Sequence, residues 1–241
     1  MLTRIAASLA VMALVAAPVS AAPARRVIVK VVQAKPPAPM PLPPAIPFHE
    51  IERVAITTEL GVITLDLEGK KAPISTGNFL RYVDSKRFDG MTFYRSMHLP
   101  WGDPPNGLIQ AGVRGDPRKV LPPVAHEPTS QTGVLHKAGT ISLARLAPGT
   151  ATGDFSIMLS DLEALDADPK SSDPEIQAGY AAFGHVVDGM DVVRKIWDTP
   201  RDPEAGEGPL KGQMLAAPVK VLTVRRVALP EPGPLVTPPA P

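Results

Sequence analysis

The sequence predicts a mainly β fold, a closed antiparallel barrel capped by two α-helices, on three observations. Alternating runs flank Gly61, a proline-initiated helical stretch follows them, and short β-prone runs then lead to a second helix and a closing strand. Val54 to Leu60 and Val62 to Leu67 alternate apolar and polar residues, so each run has one apolar face, and Gly61 marks the hairpin between them. Pro73 suits a first helical position. Ile74, Phe79, Tyr82 and Val83 follow helical spacing up to Asp84, which predicts an amphipathic helix of about three turns. Further β-prone runs lie at Met91 to Arg95, Gly139 to Ala144, Asp154 to Leu159 and Ala181 to Val187, separated by turn-rich loops. Gly189 to Trp197 has a helical pattern, and Val219 to Val227 is the predicted last strand.

With 241 residues, 44% of them hydrophobic, the chain can build one substantial core, so one domain with appendages is expected. The 25 Lys and Arg nearly cancel the 24 Asp and Glu, which is not the basic footprint of a nucleic-acid binder. No nucleic-acid partner is therefore expected. The 30 prolines concentrate toward both ends and so separate tails from core. The absence of cysteine excludes disulfides, thiol catalysis, cysteine-based zinc sites and an acylated cysteine.

At the N-terminus Arg4 precedes an uncharged run from Ile5 to Ala17, followed by Pro18 and the small residues Val19-Ser20-Ala21 before Ala22. This is the layout of a cleaved signal peptide, its apolar run shorter than the roughly 20 residues a spanning helix needs. It predicts export to a bacterial periplasm, with membrane contact only through this segment before cleavage. The expected organisation is signal peptide 1–21, Pro-rich linker 22–50, folded domain 51–229 and Pro-rich tail 230–241. In the linker, Arg25 to Val32 is β-prone, and Pro36, Pro37, Pro39, Pro41, Pro43, Pro44 and Pro47 exclude a helix and favour an extended spacer.

Within the folded domain the motifs fall into a recognisable order. Thr58-x-x-Gly61-x-Ile63-x-Leu65 is followed by Ala72-Pro73-x-x-x-x-Asn78-Phe79 and by Phe88-Asp89-Gly90-Met91-Thr92-Phe93-Tyr94-Arg95. Leu108-Ile109-Gln110-Ala111-Gly112, Gly139 to Arg145, Phe183 to Met190 and Val224-Arg225-Arg226-Val227 come after them. In order and spacing this resembles the cyclophilin-type peptidyl-prolyl cis-trans isomerases, over roughly Val54 to Leu229. The resemblance implies an eight-stranded antiparallel barrel with two helices, acting on proline-containing polypeptides without a cofactor. A monomer is expected.

Rotation about the amide bond faces a barrier of roughly 18–20 kcal/mol because resonance stiffens the C–N bond, and catalysis must favour the twisted amide. Twisting makes the prolyl nitrogen pyramidal and gives it a lone pair that a guanidinium can hydrogen-bond, whereas the planar amide nitrogen offers none. An arginine there binds the transition state better than either ground state. The resemblance implies that Arg95 is this arginine and that Gln110 contacts the substrate backbone and helps to hold it. Leu108, Ala144, Arg145, Phe155, Leu165 and Tyr180 are the implied substrate-binding residues, Ala144 and Arg145 through a backbone contact.

The pattern departs from the family at the proline pocket. Gly107 and Ser156 fall where relatives carry phenylalanine, Asp154 replaces a usual glutamine, and Ala164 falls where cyclosporin-sensitive relatives have tryptophan, which implies weak cyclosporin binding. The connection His98 to Asn106 is longer than usual, and its Trp101 either folds back as a replacement wall or packs over the barrel end. Two functions follow: an active periplasmic isomerase, or a cyclophilin-like barrel with weakened catalysis that binds peptides as a chaperone or scaffold. His49, His98, His126, His136 and His185 lack metal-ligand spacing, so no metal site is expected. The acidic residues from Asp161 to Glu175 are read as a solvated loop.

Overall fold

The computed structural model describes residues 47–102, 106–229 and 231–237. The expected signal peptide, the linker through residue 46, the last tail residues and part of the Trp101 connection lie outside the described residues. The elements, in chain order, are β1 (Phe48–His49), β2 (Glu52–Thr58), β3 (Gly61–Leu67), α1 (Pro73–Asp84), β4 (Thr92–His98), β5 (Gly107–Gly112) and α2 (Thr129–Thr132). They continue with β6 (Thr140–Leu143), β7 (Phe155–Met158), α3 (Pro174–Ala178), β8 (Ala181–Asp188), α4 (Met190–Trp197), β9 (Arg201–Asp202), β10 (Met214–Val227) and β11 (Leu235–Val236).

Eight strands pair in the order β2-β3-β8-β6-β7-β5-β4-β10, and β10 pairs back onto β2, so the barrel closes and leaves no open edge in that ring. The short β9 adds outside, against β10. Alternation determines the inner face: Val54 and Ile56 of β2 and Ile63, Leu65 and Leu67 of β3 are fully buried, while their neighbours are at least partly exposed. Gly61 links the hairpin to a helix, since a Cβ there would lie 2.6 Å from Cγ2 of Val192 on α4. Val192, Val193 and Ile196 of α4 are buried on the core.

Helix α1 covers another part of the core with Phe79, Leu80, Tyr82 and Val83. Phe79 packs against Phe88, Phe155 and Phe183 at ring distances of 4.9, 5.3 and 5.5 Å. The helix lacks a side-chain cap of its own. Its orphan donors, the amides of Ile74 and Ser75, go instead to the carboxylate of the buried Glu127, at 3.1 and 2.9 Å. The two capping helices expected from the sequence are α1 and α4, and α2 and α3 are single turns within loops.

The boundaries at 51 and 229 are too narrow and need correction. β1 and β11 pair with one another, the Glu50 amide donates to the Pro234 carbonyl at 3.0 Å, and Phe48 is buried in the core beside Gly69. Phe48 and these backbone pairings tie residues 48–50 to the folded domain. Among the described residues no helix is long and apolar enough to cross a membrane.

A β-bulge sets up the site. Between β4 and β5, Phe93 pairs with Ala111 but Arg95 pairs with Gln110, which leaves Tyr94 as the extra residue. Strict alternation would send Phe93 and Arg95 to the same face. The bulge shifts the phase by one, so Phe93 enters the core while Arg95 faces a groove on the outside of the barrel.

Candidate active site

Register brings the groove residues into two rows. In the first, Arg95 of β4 lies opposite Gln110 of β5, Gln110 opposite Ser156 of β7, and Ser156 opposite Ser142 of β6. In the second, two residues along each strand, Met97 lies opposite Leu108 and Leu108 opposite Met158. Residues two apart share a face, so a polar row runs beside an apolar one. Ala144, Arg145, Leu165 and Tyr180 complete a cavity of about 230 Å³.

The guanidinium of Arg95 is held from two sides by neutral carboxamides. Nη1 donates to Gln110 Oε1 at 2.7 Å, while Nε and Nη2 donate to Gln213 Oε1 at 2.9 and 2.7 Å. Nη2 also reaches the Met97 sulfur at 3.6 Å. A guanidinium has five N–H donors. These contacts use four, leaving one Nη1 hydrogen for a ligand. Burial lowers the Arg95 pKa from its usual value, but an arginine remains charged. Among the described residues Arg95 pairs with no carboxylate, so its charge is oriented but not neutralised.

Gln213 stands just before β10 and is a positioning residue that motif reading missed. Its own Nε2 donates to the Pro209 carbonyl at 2.7 Å, which fixes the carboxamide with its oxygen toward Arg95. A sequence distance of 118 residues separates it from the arginine, and no local pattern signals such a contact. Asp154 is a second missed support. Its carboxylate accepts from the Arg114 amide at 2.9 Å, which holds Arg114 beside the bulged Tyr94. Burial raises the pKa of both Asp154 and Tyr94. The Arg114 guanidinium lies 4.8 Å above the Tyr94 ring, so the residue that sets the Arg95 phase is held from behind.

The polar row has its own buried support. His136 Nδ1 lies 2.7 Å from Asp166 Oδ1, and Nε2 lies 2.9 Å from Ser142 Oγ. Burial lowers the His136 pKa, against the opposing pull of Asp166. The neutral ring therefore donates from Nδ1 to Asp166 and accepts from the Ser142 hydroxyl at Nε2.

Of the residues singled out from the sequence, Arg95, Gln110, Leu108, Ala144, Arg145, Leu165 and Tyr180 converge on this groove. Phe155 does not and is corrected. It is fully buried, with Phe79 and Phe93 against its ring, because alternation along β7 gives its neighbours Ser156 and Met158 to the groove. The Arg145 side chain is only 1% exposed. It binds Glu175, the Leu146 and Gly179 carbonyls and the Tyr180 ring, so its side chain braces the loop around α3.

The apolar wall of the groove is built from thioether and aliphatic side chains. Trp101 is 59% exposed and does not line the groove. Met97 and Leu99 pack instead on a cluster of Leu108, Met158 and Leu162, together with Leu165. Gly107 has a separate cause: a Cβ there would lie 2.0 Å from the Met97 carbonyl oxygen and 2.7 Å from Trp197 Nε1. Trp197 donates to that oxygen at 3.0 Å and stacks on His98, with ring centroids 3.6 Å apart.

Comparison with known proteins places this geometry. The family profile of the cyclophilin type peptidyl-prolyl cis-trans isomerase/CLD matches residues 53–224. A peptidyl-prolyl cis-trans isomerase of Acinetobacter baylyi is 33% identical over 176 residues, covering 71% of this chain and 84% of that protein. Peptidyl-prolyl cis-trans isomerase A of Dickeya dadantii is 35% identical over 157 residues, covering 64% and 75%. The crystal structure of a Cryptosporidium parvum cyclophilin-type isomerase superposes with a TM-score of 0.56 at 18% identity, covering 75% of this chain and 99% of that one. The match spans the whole barrel, including the strands that carry Arg95 and Gln110, and the chain belongs to the cyclophilin-type peptidyl-prolyl cis-trans isomerases and is an enzyme of that activity.

Proposed function

We propose that this isomerase acts as a monomer on X–Pro bonds of proteins outside the cytoplasm, with Arg95 as the group that favours the twisted amide. The observation that carries the assignment is the clamping of Arg95 by Gln110 and Gln213, with one N–H left toward the cavity. The apolar row of Met97, Leu108 and Met158 receives the prolyl ring, and Arg95, one row away, meets its nitrogen. As the amide twists, the nitrogen lone pair accepts from Nη1, and the charge is already in place, so little reorganisation is needed. Ala144, at the end of β6, supplies backbone groups beside the substrate chain. Met97 and Met158 line the groove beside Gly107 and Ser156, which supports turnover over binding alone.

Export rests on the leader pattern from Arg4 to Ala22, and with it the expectation of envelope clients. Two measurements test the proposal. With the mature chain and a short X–Pro peptide, Arg95→Ala is expected to slow cis/trans exchange by about 10²–10³ in kcat, the loss typical of one transition-state donor. Equal rates for the two proteins would remove Arg95 from the mechanism. Mass spectrometry of the cell-derived protein is expected to find Ala22 as first residue, and an intact Met1 in the cytosolic fraction would overturn export.

A further inference from the structure

Among the described residues the thioether of Met97 is set apart from the other sulfurs by its neighbours. It is half-buried in the wall of the cavity, and its sulfur lies 3.6 Å from Nη2 of Arg95. Met158, in the same row, is 1% exposed, and Met91 is 4% exposed. Met190 and Met214 are partly exposed but do not line the cavity. The chain has no cysteine, so the thioethers are its only sulfur targets for a two-electron oxidant.

We propose that Met97 is a modification site at which oxidation to the sulfoxide by a peroxide switches the isomerase off, and that a thiol-dependent sulfoxide reductase, supplying two electrons and two protons and releasing the oxygen as water, restores it. This rests on the reading of Arg95 as the catalytic group. The step balances simply. A sulfur lone pair attacks one oxygen of hydrogen peroxide, the O–O bond breaks, and the departing hydroxide takes the proton of the transferred hydroxyl. The products are the sulfoxide and water, the sulfur being oxidised by two electrons and the peroxide reduced by two. The guanidinium beside the sulfur favours the negative charge that develops on the departing oxygen.

The consequence follows from the hydrogen bond already present. A thioether is a weak acceptor, so Nη2 contacts Met97 without being captured by it. A sulfoxide oxygen is a strong acceptor, and bound to this sulfur it lies within reach of the same guanidinium. By holding Nη2 more strongly it turns the guanidinium away from the setting in which Nη1 meets the prolyl nitrogen, and it places a polar group in the apolar row that receives the ring. Both effects act on the same substrate residue.

The test uses the mature full-length chain, hydrogen peroxide as probe, peptide mapping by mass spectrometry to follow each methionine, and X–Pro exchange as readout. The expected result is a loss of at least tenfold in kcat/KM that tracks conversion of Met97. Activity should return after treatment with methionine sulfoxide reductases for both epimers. Met97→Leu, compared with its own untreated rate, should keep more than half of that rate at the same dose. The proposal is overturned if Met97 resists conversion, if full conversion leaves the rate unchanged, or if Met97→Leu loses activity in the same proportion as the parent. Untreated Arg95→Ala, run in parallel, reports separately on the reading of Arg95. If it equals the parent, that reading fails whatever the peroxide arms show.

Discussion

Replacing Gln213 separates two contributions of Arg95, its position and its uncompensated charge. Gln213→Ala deletes the acceptor of Nε and Nη2 but leaves Gln110 on Nη1. A hydrogen bond to a charged group contributes ~1.5–3 kcal/mol. Since one anchor survives and water replaces part of the other, a loss of about 1.4 kcal/mol in transition-state stabilisation is expected, or tenfold in kcat/KM. Gln213→Glu keeps an oxygen acceptor at the same place but neutralises the guanidinium, so position is retained while charge is compensated. It is expected to slow exchange at least as much as the alanine variant. Because both anchors serve one guanidinium, the losses from Gln110→Ala and Gln213→Ala should not add. The assay is X–Pro peptide exchange with kcat and KM resolved. A Gln213→Ala enzyme with parental kcat, beside an impaired Arg95→Ala enzyme, would refute the argument, as would a change confined to KM.

Three further outcomes test the packing. Phe155→Ala should destabilise by about 3–5 kcal/mol in denaturant titration, as expected for a buried aromatic, and parental stability with a raised KM would return Phe155 to the groove. Gly107→Ala forces a Cβ toward the Met97 carbonyl and the Trp197 indole, so it should cost about 1–3 kcal/mol and lower the Tm, and an unchanged Tm would show that the contact yields freely. The His136 pKa is lowered in the folded state, so between its ordinary value of 6.5 and the folded value the unfolded chain binds more protons. Stability from this group is therefore complete above pH 6.5 and falls as pH drops toward the folded value. His98, also lowered by burial, adds in the same direction. His136→Gln should flatten this slope, and an unchanged slope would assign the pH dependence to other groups.

The fold was legible wherever period and punctuation agree. The hairpin around Gly61, the helix begun by Pro73 and the closing strand through Val224 each carry a local signal, and all form as expected. Arg95 and Gln110 were legible through their motif. Gln213 and the Asp166–His136–Ser142 chain were not, because the acceptor, the buried ring and the hydroxyl come from separate segments and only the closed barrel brings them together. Phe155 belongs to the core and not to the groove because it and Ser156, adjacent in the chain, face opposite sides of β7. Of the two expectations for Trp101, a replacement wall is not met, since the side chain is 59% exposed and does not line the groove.

The pocket follows from one rule once the phase is known. Side chains two apart share a strand face, so Arg95 with Met97, Leu108 with Gln110, Ser142 with Ala144, and Ser156 with Met158 each give the groove a pair. The phase on β4 depends on Tyr94, the one extra residue between Phe93 and Arg95, and Arg114, whose amide donates to Asp154, covers that residue from behind. Asp154 immediately precedes β7, so the same stretch of chain supports the bulge through Arg114 and supplies Ser156 and Met158 to the groove. The departure of Asp154 from the family glutamine thus belongs to the machinery that aims Arg95 rather than to the surface that meets the substrate. Loss of the aromatic walls then leaves that aim unchanged, since Gly107 and Ser156 lie on β5 and β7 and the phase is set on β4.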